Sequence, residues 1–427
     1  MKYIGLNVQQ FYSLLLKIIS VILKFATILY LSKFFGHDIY GAFAFVLSYF
    51  LLFTLLFRFG FETFLQKQAA FSNTINQIEK HWIILFRLLF ISVITTLASS
   101  LILVYSLPLF TQIDQIQYSF MVYLFPFSFL YSVAWLLAYF FRGIGKITFS
   151  IVVLEILFPV INMLMLFMLN FIEIMNNVIL KISISYLVSI FAIVLVYCTY
   201  VKKEVSKLSI DKLYIKIIPT HIQANYYIVH SSPYLIIAIS SMLLVNLDLY
   251  ILDYFKTNGD VGIYSVITRI GSLLLLPASI AGIYFSNRIV QLVAKYQTSL
   301  VMIELHKSIL VLFVFTTIGF LIINIFSDYI LDFFGDNFKN EKIALLLFTI
   351  AQLIYSTTVG LDSTMLMTKL KKKYFLINLV GIVCIGISGC FLVPLYGIKG
   401  ASLSVLISVV IIKMIQYWVV KREFTNV

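Results

Sequence analysis

The fold is decided early in the chain, where residues 11–60 read FYSLLLKIISVILKFATILYLSKFFGHDIYGAFAFVLSYFLLFTLLFRFG. Two apolar runs, 11–33 and 40–60, are each long enough to cross a bilayer as a helix, and a short polar connection separates them. The apolar residues are continuous rather than alternating, which argues against a transmembrane barrel. This stretch therefore predicts a hairpin of two membrane helices.

The same pattern continues to the end of the chain. Of its 427 residues, 62% are hydrophobic and 11% are charged, whereas soluble domains carry about 25% charged residues. This composition excludes a soluble globular enzyme and predicts an all-α polytopic membrane protein. We predict about twelve transmembrane helices, at 11–33, 40–60, 82–107, 117–141, 147–171, 178–200, 229–252, 261–287, 308–327, 343–367, 374–394 and 398–420.

The charges alternate between the two sets of connecting loops. The chain has 31 Lys and Arg against 18 Asp and Glu, a net charge of +13. One set of loops carries 20 of the cations and the other carries 6. Cytoplasmic loops are the positive ones, so both termini are predicted to be cytoplasmic. The excess of cations thus reflects membrane topology and does not indicate a nucleic-acid partner.

The two halves of the chain repeat each other. FFGHDIYG (34–41) and YFKTNGDVG (254–262) each connect two spans, and RGIGK (142–146) and KLKKK (369–373) each connect the fourth and fifth spans of a half. We predict two pseudo-symmetric six-helix lobes, 1–200 and 229–427, joined by a cytoplasmic loop at 201–228. Such repeats are typical of transporters that work by alternating access.

The first span carries cations on one helical face. Its polar residues recur at steps of four and three: Ser13, Lys17, Ser20, Lys24 and Thr27. Charges inside a membrane usually face a cavity or a partner, and the eighth span adds Arg269. We predict that Lys24, Arg269 and Lys17 line a cavity that binds an anionic group such as a phosphate, although the position of Lys17 near its span end favours snorkelling to the interface.

Three carboxylates lie within or near the ends of other predicted spans, namely Glu155, Asp248 and Asp362. They are candidates for binding a coupling proton or sodium ion. An interfacial role is the alternative for Asp248, and a structural ion pair with Asp248 is the alternative for Arg269. Arg87 and Lys413 lie close to span ends, where snorkelling is expected. No cofactor or metal site is indicated, and nucleotide-binding, zinc-protease and serine-hydrolase motifs do not occur in the sequence, so we do not expect an enzyme.

Several motifs resemble the polysaccharide-biosynthesis flippases of the MOP exporter superfamily (multidrug, oligosaccharidyl-lipid, polysaccharide). The opening LSKFFGHDIYGAFAFVLSYFLLFTLLFRFGFETFLQK (31–67) matches their Leu-Ser-Arg/Lys-X-X-Gly, acidic-X-Tyr-Gly and Phe-Gly pattern. Further matches are RGIGK (142–146), LDLYILDYFKTNGDVGIYSVITRI (247–270) and LYGIKGASLSVLIS (395–408). By length and span count the chain is most similar to the O-antigen repeat-unit translocases (Wzx-type).

The resemblance implies a MATE-like bundle in a bacterial inner membrane. It implies a flippase that carries an undecaprenyl-pyrophosphate-linked oligosaccharide, an O-antigen or capsular unit, from the cytoplasmic to the periplasmic leaflet. It also implies membrane lipid, a polysaccharide polymerase and a chain-length regulator as partners. A cation-coupled multidrug exporter and a membrane polysaccharide polymerase or glycosyltransferase are the alternatives. Drug exporters typically use a carboxylate in the first helix, where this chain has Lys17 and Lys24.

Overall fold

The computed structural model describes residues 8–74, 78–106, 114–171, 177–206, 219–278, 285, 289, 292 and 298–425. Its regular elements over these ranges are helical, as the composition predicts. The first nine helices are α1 Val8–Phe35, α2 His37–Phe57, α3 Phe61–Thr74, α4 Ile78–Ser106, α5 Gln115–Leu124, α6 Ser128–Gly143, α7 Ile147–Ile151, α8 Phe158–Phe171 and α9 Val178–Val205. The next eight are α10 His221–Phe255, α11 Asn258–Ser272, α12 Thr298–Ile325, α13 Ser327–Phe334, α14 Lys342–Thr357, α15 Val359–Met367, α16 Lys371–Tyr396 and α17 Ile398–Thr425.

Ten helical segments in the described part of the chain are long and apolar enough to span a membrane, and a bent pair makes eleven. Each corresponds to one of the twelve predicted spans. The predicted tenth span is the bent one, because the helical segments Asn337–Thr357 and Val359–Leu366 meet at an angle of 44°. The predicted eighth span, 261–287, begins as α11 and then enters residues outside the described ranges. The all-α polytopic fold is confirmed.

Helix boundaries differ most from the prediction in the connections. The predicted loop 201–228 is shorter, because α9 continues to Val205 and α10 begins at His221; residues 207–218 lie outside the described part. The segment after the second span is not a loop but the helix α3. Phe61, Phe64, Leu65 and Ala69 are buried along one side of α3, a spacing that gives a short amphipathic helix.

The helices form two compact units. The N-terminal unit comprises Val8–Thr27 and Val46–Ile239, and the C-terminal unit comprises Ile28–Phe45 and Ser240–Val427. The boundaries of these units fall inside α1, α2 and α10. The division into lobes at residues 200 and 229 stays a prediction.

Small residues bring the helices of the C-terminal unit close together. A Cβ added at Gly381 in α16 would lie 2.2 Å from Ile412 in α17, and the Ser408 hydroxyl donates to the Gly381 carbonyl at 2.9 Å. Membrane helices lack a hydrophobic driving force between them, so close backbone approach and such hydrogen bonds supply much of the packing.

The two repeated connections meet inside the C-terminal unit. A Cβ on Gly41 would lie 1.8 Å from the carbonyl oxygen of Asn258, and one on Gly262 would lie 2.1 Å from the carbonyl oxygen of His37. Each glycine at the head of its second span therefore packs against the backbone of the other repeat. Any side chain at either position would force the two helix ends apart.

Candidate anion-binding site

The RGIGK motif forms the turn between α6 and α7. Gly145 has a φ of 86°, a left-handed conformation that glycine adopts without strain. A Cβ on Gly143 would lie 2.6 Å from the Gln66 carbonyl oxygen of α3, so this position also requires glycine. The tight turn makes α6 and α7 consecutive neighbours and brings residues from both sides of the turn together.

Lys146 anchors the end of this turn to α9. Its ammonium donates to the Tyr200 hydroxyl at 2.8 Å and to a Glu204 carboxylate oxygen at 3.1 Å. Burial disfavours the charged form of Lys146, but these two hydrogen bonds outweigh it and raise the pKa of the ammonium. The connection is therefore held in place on the side that topology predicts to be cytoplasmic.

Glu155 lies in the π-helical segment Val152–Leu157, between α7 and α8. Its carboxylate is 3.1 Å from the Arg142 guanidinium and 3.8 Å from the Lys24 ammonium. The side chains of Glu155 and Arg142 are 22% and 21% exposed, and that of Lys24 is 49% exposed. Isolated π-helical turns are frequent at functional sites. We call Lys24, Arg142 and Glu155 the charged triad.

Arg142 is the member of the triad that sequence reasoning missed, because it was counted among the loop cations. Its Nε donates to the Ser150 hydroxyl at 3.1 Å and its guanidinium lies 4.9 Å from the centre of the Tyr139 ring. These contacts fix the guanidinium independently of Glu155. The signal available in the sequence was an arginine beside a glycine turn, thirteen residues before an intramembrane carboxylate.

The polar stripe of α1 is not uniform. Lys17 and Lys24 are exposed in the chain alone, whereas Ser20 and Thr27 are buried. The Thr27 hydroxyl donates to the Leu23 carbonyl at 2.9 Å, so its hydrogen bond is made within the helix. Ser13 lies on the described helix, but its side chain is outside the described part. Of this stripe, Lys24 is the member that the structure joins to another predicted site residue, Glu155.

A second buried pair in the N-terminal unit involves Arg58, near the end of the predicted span 40–60. Arg58 and Glu62 are both buried and 3.6 Å apart, and the guanidinium lies 5.7 Å from the ring centres of Tyr131 and Trp135. Arg58 follows α2, which ends at Phe57, and it is buried where the chain turns sharply at Phe59 and Gly60. The aromatic faces stabilise the charge at this turn.

In the C-terminal unit, the carboxylate of Asp248 is buried and accepts a hydrogen bond from the Tyr264 hydroxyl. Within the described residues, no ion pair joins Asp248 to Arg269, the alternative that the sequence left open. Arg269 is exposed on α11 and belongs to the C-terminal unit, whereas Lys24 belongs to the N-terminal unit. The role of Arg269 as a second cation of a substrate cavity stays a prediction.

Asp362 in α15 pairs with Lys413 in α17. Their charged atoms are 2.7 Å apart, and the side chains are 11% and 4% exposed. The ammonium also donates to the Gln416 amide oxygen at 3.2 Å and lies 4.3 Å from the centre of the Tyr355 ring. The prediction that Lys413 snorkels to the interface is therefore wrong, because its ammonium pairs with the Asp362 carboxylate inside the bundle.

Of the three candidate coupling carboxylates, two have cationic partners in the structure. Glu155 contacts Lys24 and Arg142, and Asp362 contacts Lys413. Asp248 accepts from a tyrosine instead. Over the described ranges, no group of three or more His, Cys, Asp or Glu side chains is arranged to hold a metal ion.

The helical arrangement defines the class of the protein, a polytopic membrane protein with the MOP-superfamily fold. It superimposes on an inward-facing multidrug resistance transporter of the MATE family with a TM-score of 0.78, at 12% identity over 95% of each chain. The lipid II flippase MurJ in an inward closed conformation superimposes with a TM-score of 0.74, at 14% identity over 95% of this chain and 87% of that one. A MOP transporter from Pyrococcus furiosus, described as having a binding pocket of reverse polarity, superimposes with a TM-score of 0.60. The identity is 11% over 97% of this chain and 94% of that one.

The sequence model of the family of polysaccharide biosynthesis proteins matches residues 9–284, more than half of the chain. The protein belongs to that family. A search of curated protein sequences finds no significant match.

Proposed function

We propose that this protein is a flippase for a lipid-linked oligosaccharide. It carries an undecaprenyl-pyrophosphate-linked repeat unit of an O-antigen or capsule from the cytoplasmic to the periplasmic leaflet by alternating access. The family supplies the context of polysaccharide synthesis. A solved protein with the same fold is named a lipid II flippase, which supports a lipid-linked substrate.

The charged triad is the observation that carries this proposal. Two cations and one carboxylate leave a net positive charge among helices long enough to span a membrane. A cation held at low dielectric attracts phosphate strongly, and arginine matches its oxygens with two parallel hydrogen bonds. The pyrophosphate would bind there, while the undecaprenyl chain would stay in the surrounding lipid.

Substitution of Lys24 tests the proposal. Loss of one cation removes charge-assisted hydrogen bonds worth about 1.5–3 kcal/mol, a roughly ten- to hundredfold loss of affinity. Lys24→Ala should therefore reduce surface polysaccharide in a complemented deletion strain, while Lys24→Arg should retain much of it and Lys17→Ala should have a milder effect. Lys203→Ala, an exposed lysine of α9, is the matched control.

Surface polysaccharide is measured at low expression, with the amount of protein in the membrane as the reference. Normal polysaccharide in Lys24→Ala under these conditions would mean that this lysine belongs to packing or to the interface and not to a substrate site. The lipid-linked oligosaccharide that accumulates in the deletion strain identifies the sugar.

Cation-coupled drug export is the alternative that the similarity to a multidrug resistance transporter favours. The charges on α1 argue against it, because drug exporters of this superfamily typically rely on a carboxylate in the first helix, where this chain has Lys17 and Lys24. A polysaccharide polymerase is a weaker alternative, since the predicted outer connections are too short for a catalytic domain. Accumulation of a lipid-linked oligosaccharide in the deletion strain separates the flippase from both.

The remaining features of the proposed function follow from topology and chemistry. We place the protein in the bacterial inner membrane with both termini in the cytoplasm, on the charge bias of its loops. Transport is coupled to a proton or to sodium through a carboxylate, without a further cofactor. A polymerase and a chain-length regulator would receive the product on the periplasmic side.

A further inference from the structure

The charged triad has an arrangement that a simple cationic site does not need. Its carboxylate contacts both cations, at 3.1 Å from Arg142 and 3.8 Å from Lys24. Glu155 therefore occupies the position that an anionic ligand of these two cations would occupy. Its carboxylate oxygens and those of a phosphate make the same kind of charge-assisted hydrogen bond.

Charge balance decides what happens when a pyrophosphate diester arrives. The diester carries two negative charges, and Lys24 and Arg142 supply two positive ones. With Glu155 still between them, the assembly would have a net charge of −1. With the carboxylate withdrawn, it would be neutral. Because an unbalanced charge is costly among membrane helices, the neutral arrangement is favoured.

We propose that Glu155 is an internal competitor for the pyrophosphate, and that Arg142 and Lys24 are the two cations that bind this group once Glu155 is displaced. The inference rests on the proposed function and assigns to Arg142 a direct contact with the substrate. The site changes its anion on binding: the carboxylate leaves and the phosphate oxygens take its place.

The geometry allows this exchange without rebuilding the site. The Ser150 hydroxyl accepts from Arg142 Nε, and the Tyr139 ring supports the guanidinium, so Arg142 keeps its position when the carboxylate leaves. The Glu155 side chain is 22% exposed in the protein chain, so it is not enclosed by protein on every side and has room to move away from the two cations. Lys24 is half exposed and its ammonium can move with the ligand.

An internal competitor keeps the empty transporter from holding unrelated anions. A small anion with a single negative charge gains little by replacing an anion that is already bound. A diphosphate can contact both cations at once and gains more from the exchange. The triad would thus select for two neighbouring phosphates on one lipid.

The test is the binding of inorganic pyrophosphate to the purified full-length protein in lipid nanodiscs, measured by titration calorimetry. Glu155→Gln should bind at least about tenfold more tightly than the wild type, because the competing charge is gone; this corresponds to about 1.4 kcal/mol. Arg142→Gln should lose binding, and Arg142→Lys should recover part of it. Lys203→Gln is the control and should match the wild type.

Unchanged or weaker binding by a folded Glu155→Gln variant would overturn the inference, because a carboxylate that competes for the two cations must weaken their binding of another anion. If that variant does not fold, Glu155→Asp replaces it: the shorter carboxylate reaches the two cations less well and should give a smaller gain. An equal or lower affinity of the Asp variant also counts against the inference.

The inference and the proposed function fail in different ways. Loss of polysaccharide in Lys24→Ala without a gain of affinity in Glu155→Gln rejects the competitor and leaves the flippase in place. Normal polysaccharide in Lys24→Ala together with no pyrophosphate binding by the wild type rejects both.

Discussion

Replacement of Lys413 by methionine should destabilise the protein strongly. The change keeps the length of the side chain but leaves Asp362, 11% exposed, without the ammonium 2.7 Å away. Breaking a buried ion pair in this way costs about 3–5 kcal/mol, because a charge stays behind without compensation. The contact with Gln416 is lost at the same time.

The double substitution Asp362→Leu, Lys413→Met separates the stranded charge from the loss of packing. It removes both charges, so the penalty for the unpaired carboxylate disappears and most of the lost stability should return. Thermal unfolding in detergent, followed by loss of monodisperse protein, should show a fall of about 5–10 °C for Lys413→Met and a recovery in the double variant.

Lys372→Met is the control for this series, since Lys372 is exposed at the start of α16 and should change stability by no more than about 0.5 kcal/mol. A double variant as unstable as Lys413→Met would refute the reasoning, because the loss would then come from packing around the lysine and not from an uncompensated charge. A Lys413→Met variant as stable as the control would refute it as well.

Two further predictions concern coupling and orientation. Asp248→Asn should alter the pH or sodium dependence of transport. Asp362→Asn should lower stability and leave that dependence unchanged, because Lys413 already supplies a fixed cation beside this carboxylate. If Asp248→Asn, Asp362→Asn and Glu155→Gln all show the ion dependence of the wild type, an uncoupled mechanism driven by polymerisation is favoured. Reporter fusions at residue 215 and after residue 425 should be active in the cytoplasm, and periplasmic activity at 215 would reject the two-lobe topology.

Hydrophobicity predicted most of the fold because each membrane helix is decided by its own residues. The continuous apolar runs gave eleven of the spans, with the eighth entering residues beyond those described. The connections were predicted less well. The segment Phe61–Thr74 has too low a mean hydropathy to be taken for a span, and its helix depends on four apolar residues packing against neighbours that the local sequence does not reveal.

The charged residues were harder to interpret, because the position along a span does not give the face of the helix. Lys413 and Arg58 lie near span ends, where snorkelling or a loop is the default, yet each has a buried partner. Asp362 is 51 residues from Lys413, and no spacing rule connects them. Glu155 and Lys24 lie in two of the candidate membrane spans, as predicted, but their contact, and the role of Arg142 in it, depends on how distant segments fold together.

The meeting of Gly41 and Gly262 has a consequence for how such a chain can evolve. If the two halves descend from one duplicated segment, most positions became independent as soon as the copies separated. These two did not, because the backbone of each repeat fills the space where the other would need a side chain. A side chain introduced at either glycine would displace the backbone of both repeats. At this contact the two halves must therefore keep glycine together, however far their sequences diverge elsewhere.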